Sequence, residues 1–196
     1  MGLKNRLIEQ AKNPKGFIGG RMLLAWNSAH AKRIEWGLSK IEIKNDSVIL
    51  DIGCGGGAAI KALSRIAKDG RICGIDHSEK AVKTARRVNA DDVRNGKVDI
   101  REASVSAIPF LDSSFEIVTA FHTIYFWPDL RNEISEVARV LIAGGQFAII
   151  TELRNMRYHM KEFSEPDELE ELLLKSGFSY VKGYRTSYEM CMIGIK

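Results

Sequence analysis

The fold of this chain is decided by residues 48–57, which read Val48-Ile49-Leu50-Asp51-Ile52-Gly53-Cys54-Gly55-Gly56-Gly57. The apolar run predicts a short buried strand, and the glycines after it predict a tight turn into a helix. Glycines let a ligand approach the backbone where a Cβ would block it, and a helix N-terminus offers free N–H groups. The stretch therefore predicts a ligand site where the first strand ends.

Strands and helices alternate after this stretch. We expect further strands at residues 71–76, 98–102, 115–121 and 146–152, the last one entered through a turn at residues 143–145. Helices are expected at residues 58–67, from the capping residue Ser78 to about residue 94, at about residues 129–140, and between Pro166 and Gly177, with residues 153–165 as a connection. This alternation predicts a parallel sheet with helices on both faces.

The C-terminal part departs from that alternation. Two strands are expected at about residues 178–184 and 188–195, and the linker between them, near Arg185–Ser187, is too short for a crossover helix. These strands must therefore pair antiparallel. The predicted fold class is α/β, with a seven-stranded, mostly parallel sheet, an antiparallel C-terminal strand, helices on both faces and an N-terminal helical cap.

Composition restricts the class of protein. The chain has 196 residues, 45% of them hydrophobic and 28% charged, as expected for one globular domain. No apolar run approaches the ~20 residues that cross a bilayer, and no signal-peptide core is present, so we expect no membrane insertion and a cytoplasmic location. Cys54, Cys73 and Cys191 are not spaced as metal ligands, so we expect neither a disulfide framework nor a metal site.

Residues 1–44 are the predicted cap, and residues 45–196 the core of the same domain. A helix over residues 22–36 carries Trp26, Asn27 and His30, and we expect it to cover the carboxyl edge of the sheet as a lid. Residues 1–47 contain nine Lys/Arg and four Asp/Glu. This basic excess could attract nucleic acid, but no run of five basic residues accompanies it, so we do not expect a nucleic-acid partner.

The glycine turn by itself fits more than one class of protein. Gly53-x-Gly55-x-x-Ala58 satisfies the dinucleotide fingerprint, and Asp76 lies near the distance expected for its ribose-binding carboxylate. An NAD(P)-dependent oxidoreductase is therefore an alternative. A non-catalytic or RNA-associated ligand-binding module is another, favoured only by the basic cap.

Further motifs favour a different enzyme class. After residues 50–57 come Gly74-Ile75-Asp76-His77-Ser78, then residues 108–118 with the sequence IPFLDSSFEIV, then residues 139–145 with the sequence RVLIAGG. In this order, over about residues 46–196, they resemble the class I S-adenosylmethionine-dependent methyltransferases, specifically the small-molecule and quinone-type branch. The resemblance implies a Rossmann-like core, S-adenosylmethionine as the cofactor, and methyl transfer to a small-molecule acceptor by in-line displacement.

The resemblance also implies which residues bind the cofactor. Asp51 corresponds to the carboxylate that reaches the methionine amino group, and Asp76 to the one that accepts hydrogen bonds from both ribose hydroxyls. His77 is expected beside the adenine. The methionine and ribose portion is expected to run along the glycine turn, which comprises Gly53, Cys54, Gly55 and, as a further candidate, Gly57.

The adenine edge departs from the family pattern. Ser104 stands where the family has an aspartate and is followed by Val105. A hydroxyl accepts a hydrogen bond less strongly than a carboxylate does. Glu102 is a poorer candidate for the adenine contact because of its position along the strand. After the fourth strand, Phe121 and His122 are expected beside the sulfonium, and Tyr125 on the acceptor side.

The sequence assigns no catalytic residue. Transfer from a sulfonium needs mainly proximity and alignment, and a base only where the acceptor must lose a proton. The candidates for this base are His30, His122 and Tyr125. The side chains of Glu152, Tyr158 and His159 are also chemically able to accept a proton. The boxes typical of nucleobase amino methylation and of pyrimidine C5 methylation are missing, which favours a small-molecule acceptor. Neither the acceptor atom nor the oligomeric state follows from the sequence.

Overall fold

The computed structural model describes residues 31–196. The strands of this part are β1 (Val48–Ile52), β2 (Arg71–Asp76), β3 (Val98–Glu102), β4 (Phe115–Phe121), β5 (Leu141–Glu152), β6 (Tyr180–Arg185) and β7 (Glu189–Ile195). The helices are α1, described over residues 31–38, α2 (Ala58–Ile66), α3 (Glu79–Val88), α4 (Ala90–Arg94), α5 (Leu130–Val140), α6 (Leu153–His159) and α7 (Pro166–Lys175). The predicted cap residues Trp26, Asn27 and His30 lie outside the described residues.

All seven strands form one sheet in the order β3-β2-β1-β4-β5-β7-β6. Strands β1 to β5 run parallel, and β7 lies between β5 and β6, antiparallel to both. The predicted sheet and its C-terminal hairpin are thus confirmed. A parallel sheet is covered on both faces, which explains why β1 is a continuous apolar run and not an alternating one.

Two apolar layers enclose the sheet. On one face, α1, α2 and α3 contribute buried side chains such as Ile34, Leu63 and Val82. On the other face, α5 and α7 contribute Val137 and Leu173. The carboxyl ends of β1, β2 and β4 therefore meet at one edge of a rigid, fully packed sheet, where open α/β sheets bind their ligands.

The boundary of the fifth strand was predicted wrongly. Leu141 already pairs with Phe115 of β4 directly after α5, and the register then shifts before Gln146 pairs with Ile117. The expected turn at residues 143–145 is an irregular part of the strand. It is held there because the Gly144 N–H donates to the carbonyl of Lys196, the C-terminal residue, over 2.9 Å.

The helix expected from Ser78 to about residue 94 is divided at Asn89. Its start was predicted correctly, since the Ser78 hydroxyl accepts the Ala81 N–H. The buried Asn89 amide donates to the carbonyls of Ala85, at 2.9 Å, and Gly57, at 3.1 Å. These bonds tie the end of α3 to the start of α2, and the chain then continues as the short α4.

Helix α6 was missed, because residues 153–165 were expected to be only a connection. Met156 is its one fully buried residue, so the sequence carries no apolar stripe at helical spacing. The helix follows β5 without a loop and therefore stands at the carboxyl edge of the sheet. None of the helices in residues 31–196 combines the length and the apolar character needed to span a membrane.

Candidate functional site

A cavity of about 550 Å³ opens at the carboxyl edge of the sheet. One part, called the glycine half below, is lined by residues 51–56 together with Asp76 and His77. The opposite part, called the aromatic half, is lined by Phe121, His122, Thr123, Tyr125, Phe126, Trp127, Asn155 and His159. Ser104 and Val105 line the same cavity beyond β3.

The structure brings the predicted binding residues together. All ten line this one cavity: Asp51, Gly53, Cys54, Gly55, Asp76, His77, Ser104, Val105, Phe121 and His122. Tyr125, a candidate catalytic residue, lines it as well, whereas His30 lies outside the described residues. The further candidate Gly57 does not line it. Gly57 has a structural role. It precedes α2 at φ +80°, and an added Cβ would lie 2.6 Å from the Asn89 amide nitrogen.

The turn after β1 is shaped by close packing. Gly53 has φ +69°, and an added Cβ would lie 2.3 Å from the Thr123 hydroxyl, so no other residue fits there. The N–H groups of Gly53 and Cys54 both donate to the carbonyl of Ile75, at 2.8 and 3.0 Å. The glycine half is thus tied by hydrogen bonds to the end of β2 and packed against Thr123, two residues after β4.

Asp51 is a buried carboxyl at the floor of the cavity. Its side chain is 1% exposed, and it accepts a hydrogen bond of 2.7 Å from the Thr119 hydroxyl. Burial raises the pKa of Asp51 from 3.8 to about 7, although the Thr119 bond works in the opposite direction. A buried carboxylate with no cationic side chain against it in the described residues is a suitable partner for a ligand ammonium.

Asp76 holds the end of β2 against the glycine turn. One carboxylate oxygen accepts the Gly55 N–H and the other the Ser78 N–H, each over 2.9 Å. Burial raises the pKa of Asp76, while these two backbone bonds and the neighbouring His77 lower it. Each oxygen retains a further lone pair, so the fixed carboxylate can still receive a pair of hydroxyl groups in fork geometry.

The two residues beyond β3 differ in their surroundings. The exposed Ser104 hydroxyl accepts the Ser106 N–H at 3.2 Å and so starts a 3-10 turn, while Val105 is buried. A hydroxyl that accepts one bond can still donate or accept another at the cavity. Glu102, the poorer candidate by register, is exposed and does not line the cavity.

His122 marks the transition between the two halves. It is a non-glycine residue at φ +54°, a left-handed conformation that costs on the order of 1 kcal/mol. Its N–H donates to the Ile150 carbonyl at 2.8 Å, which keeps β4 paired with β5 up to this residue. The sharp change of direction places Thr123 against Gly53 and turns the next residues into the cavity wall.

The aromatic half is built by the turn after β4 and by α6. The rings of Tyr125 and His159 stack at 5.3 Å between centroids with 15° between their planes, and Phe126 meets both rings edge-on. The side chain of Asn155, one helical turn before His159, lies beside the Tyr125 phenol, where it lowers the pKa of that phenol and partly offsets the effect of burial. Burial raises the pKa of Tyr125 well above its ordinary value, so its phenol is uncharged near neutral pH and is a poor base.

The other candidate bases fall in different places. Glu152 does not line the cavity and is ion-paired with Arg33 of α1, and Tyr158 is 56% exposed outside it. Three further residues that line the cavity were not predicted as site residues, namely Asn155, Thr123 and Ile34. No sequence motif identifies these three residues, because only the fold brings them to the cavity.

Comparisons with known proteins agree with this geometry. A family model described as "Methyltransferase domain" matches residues 50–149. An O-methyltransferase resE of Aspergillus sclerotiorum is 30% identical over 145 residues, which are 66% of this chain and 54% of the relative. A demethylmenaquinone methyltransferase of Listeria welshimeri is 30% identical over 123 residues, which are 62% of this chain and 51% of the relative.

The likeness extends to solved structures. The crystal structure of a SAM-dependent methyltransferase from Aquifex aeolicus superposes with a TM-score of 0.71 at 17% identity, covering 90% of this chain and 97% of that one. At this identity the similarity shows the fold. The chain spans only about half the length of the two curated relatives above.

Proposed function

The chain belongs to the methyltransferase domain family, and from that premise we propose that it transfers the methyl group of S-adenosylmethionine to a small-molecule acceptor. The observation that carries the proposal is the convergence of all ten predicted binding residues on one cavity at the carboxyl edge of the sheet. A dinucleotide-dependent oxidoreductase is disfavoured, because the motifs after the glycine turn and the antiparallel β7 are unexplained by that reading.

In this proposal, the glycine half holds the cofactor. Asp76 accepts the ribose hydroxyls and Asp51 receives the methionine ammonium, while His77, Ser104 and Val105 border the adenine. These residues fit because the turn leaves no side chain at Gly53 and because Asp51 is buried without a cationic partner in the described residues. Phe121 and His122 stand where the two halves meet and are the proposed neighbours of the sulfonium, whose positive charge suits an aromatic face.

The chain's own contribution to the reaction is alignment of the two reactants. Bound S-adenosylmethionine supplies a methyl group already activated on sulfur. The nucleophilic atom of the acceptor forms a bond to the methyl carbon while the carbon–sulfur bond breaks, the electron pair stays on sulfur, and the proton of the acceptor passes to water. The pre-shaped cavity holds the two reactants in line, which is the main requirement of such a displacement.

The cap is proposed to be part of the same domain and to cover the acceptor side. Supporting contacts come from α1: Ile34 lines the cavity, and an added Cβ at Gly37 would lie 2.6 Å from Ile150 of β5. Arg33 pairs with Glu152 at the end of β5 and, at 2.8 Å, with Glu189 at the start of β7. Because α1 is part of the core, the lid proposal is best tested by deleting residues 1–30 and leaving α1 in place.

Cytoplasmic location is proposed as well, supported by Cys54, Cys73 and Cys191, which are buried free thiols as suits a reducing compartment. A small-molecule acceptor is the proposed partner, and nucleic acid is not.

The proposal is tested by measuring the binding of S-adenosylmethionine to the full chain by calorimetry, beside NAD and a structured RNA. We expect saturable binding of S-adenosylmethionine and no saturable binding of NAD or of the RNA. Saturable binding of NAD without S-adenosylmethionine would identify a dinucleotide enzyme, and binding of RNA alone would identify an RNA-associated module.

The deletion of residues 1–30 is expected to retain cofactor binding and to lose release of S-adenosylhomocysteine with any acceptor found. Full turnover by that variant would contradict the lid.

A further inference from the structure

Beyond Phe121 and His122, the aromatic half of the cavity contains none of the residues proposed to hold the cofactor. Tyr125, Phe126, Trp127 and His159 are each half-buried, so part of every ring remains uncovered where these residues line the cavity. Stacked and edge-on contacts among Tyr125, Phe126 and His159 fix the rings relative to one another. A rigid wall of this kind suits a flat aromatic ligand, because ring pairs prefer offset-stacked or edge-to-face contact.

Helix α6 supplies the polar groups of this wall. Asn155 and His159 are four residues apart, so they lie on one face of the helix, and both line the cavity. Met156, between them, is completely buried in the core, which fixes the rotation of the helix. The stack of His159 on Tyr125 and its edge-on contact with Phe126 join the helix to the turn after β4.

The charges around the cavity select against an anionic ligand. Asp51 and Asp76 line it, and no lysine or arginine among residues 31–196 does so. Behind the aromatic wall, Glu152 and Glu189 lie opposite each other in the register of β5 and β7 and share Arg33. Along the cavity wall formed by residues 31–196, a carboxylate or phosphate on the acceptor would thus find no cationic partner.

From these contacts we infer that the acceptor is an uncharged, flat aromatic compound carrying a hydroxyl group. Its ring lies against Tyr125 and His159, and Asn155 and His159 of α6 are the residues that determine its specificity. The inference rests on the proposed methyl transfer, because it assigns the acceptor for the site next to the cofactor. Tyr125 orients the acceptor ring through its own ring, which the contacts with Phe126 and His159 hold in place.

Binding of small probes to the full chain saturated with S-adenosylhomocysteine tests the inference. The probes are 1-naphthol, its saturated analogue 2-decalol, the anion 1-naphthoate and the cation 1-naphthylmethylammonium, each titrated and followed by ligand-observed NMR. We expect saturable binding of 1-naphthol and weaker binding of the other three. Tighter binding of either charged probe would overturn the uncharged assignment, and equal binding of 2-decalol would overturn the aromatic one.

Variants connect the probe to α6. The substitutions His159→Ala and Asn155→Ala should each weaken 1-naphthol binding about three- to tenfold, as expected for the loss of one ring contact or one hydrogen bond. The matched control is Arg154→Ala, which removes an exposed side chain of the same helix outside the cavity and should leave the affinity unchanged. Circular dichroism checks that each variant is folded, and equal 1-naphthol affinity in folded His159→Ala and Asn155→Ala would overturn the role of α6.

The same titrations separate this inference from the proposed function. If S-adenosylhomocysteine binds and 1-naphthol does not, the acceptor assignment is wrong while the cofactor site stands. If S-adenosylhomocysteine itself fails to bind the wild-type chain, the proposed function is wrong and the acceptor assignment falls with it.

Discussion

The two halves of the cavity are built on opposite principles. The glycine half consists of backbone and two buried carboxyl groups, held by strand ends that pair in register and by a turn whose N–H groups bond to Ile75. The aromatic half consists of side chains from a turn and from a short helix that join through ring contacts. In the glycine half the buried charge is unfavourable for folding, and in our proposal the bound ligand compensates for it, whereas the aromatic half packs through its own ring contacts.

The largest expected effect therefore concerns the stability of the glycine half. Because the folded-state pKa of Asp51, about 7, lies above its unfolded value of 3.8, its contribution to stability is greatest below pH 3.8 and is lost as the pH rises toward 7. At pH 8 the difference between the two pKa values lowers the free energy of unfolding by about 4 kcal/mol relative to low pH. The substitution Asp51→Asn, whose amide oxygen still accepts the Thr119 bond, should thus raise the free energy of unfolding at pH 8 and have little effect at pH 4.

Urea denaturation at both pH values measures this effect, with the exposed Asp46→Asn as the matched control. The stabilised variant should also bind S-adenosylmethionine more weakly, because the ammonium loses its carboxylate. If Asp51→Asn is less stable than the wild type at pH 8, the buried Asp51 charge does not destabilise the fold.

The next effect is on cofactor affinity. The substitution Asp76→Asn keeps the shape of the side chain but leaves one acceptor oxygen in place of two, which should weaken S-adenosylmethionine binding by ~1.5 to 3 kcal/mol, or roughly ten- to a hundredfold. Glu102→Gln is the control, since Glu102 is the register partner of Asp76 on β3 but lies outside the cavity. Unchanged affinity in Asp76→Asn, measured by calorimetry, would remove Asp76 from the cofactor site.

A smaller effect is expected at the edge of the glycine half. The substitution Ser104→Ala should weaken cofactor binding by about 0.5 to 1.5 kcal/mol, the value of a neutral hydrogen bond, whereas Ser104→Asp should maintain or tighten it. Ser106→Ala serves as the control because the Ser106 hydroxyl donates to Glu133 and does not line the cavity. If neither change at Ser104 alters the affinity, the contact to the adenine is made by another residue.

The two halves also differ in how far the sequence predicts them. The bounds of β2, β3 and β4 follow from apolar or alternating stretches of sequence. The glycine half follows because its residues are consecutive or stand at strand ends. Helix α6 leaves no such signal, since only Leu153 and Met156 of its seven residues are apolar. Asn155 and His159 reach the cavity only because β5 runs straight into this helix, a tertiary relation that no local pattern encodes.

The division of the cavity into two ligand sites is the central claim, and amide NMR of the 15N-labelled full chain tests it most directly. Addition of S-adenosylhomocysteine should shift the amide signals of Gly53, Gly55 and Gly56 and leave those of Asn155 and His159 nearly unchanged. Addition of 1-naphthol to that complex should then shift Asn155 and His159. If S-adenosylhomocysteine shifts the amides of α6 and leaves those of the glycine turn in place, the cofactor lies in the aromatic half and the account is wrong.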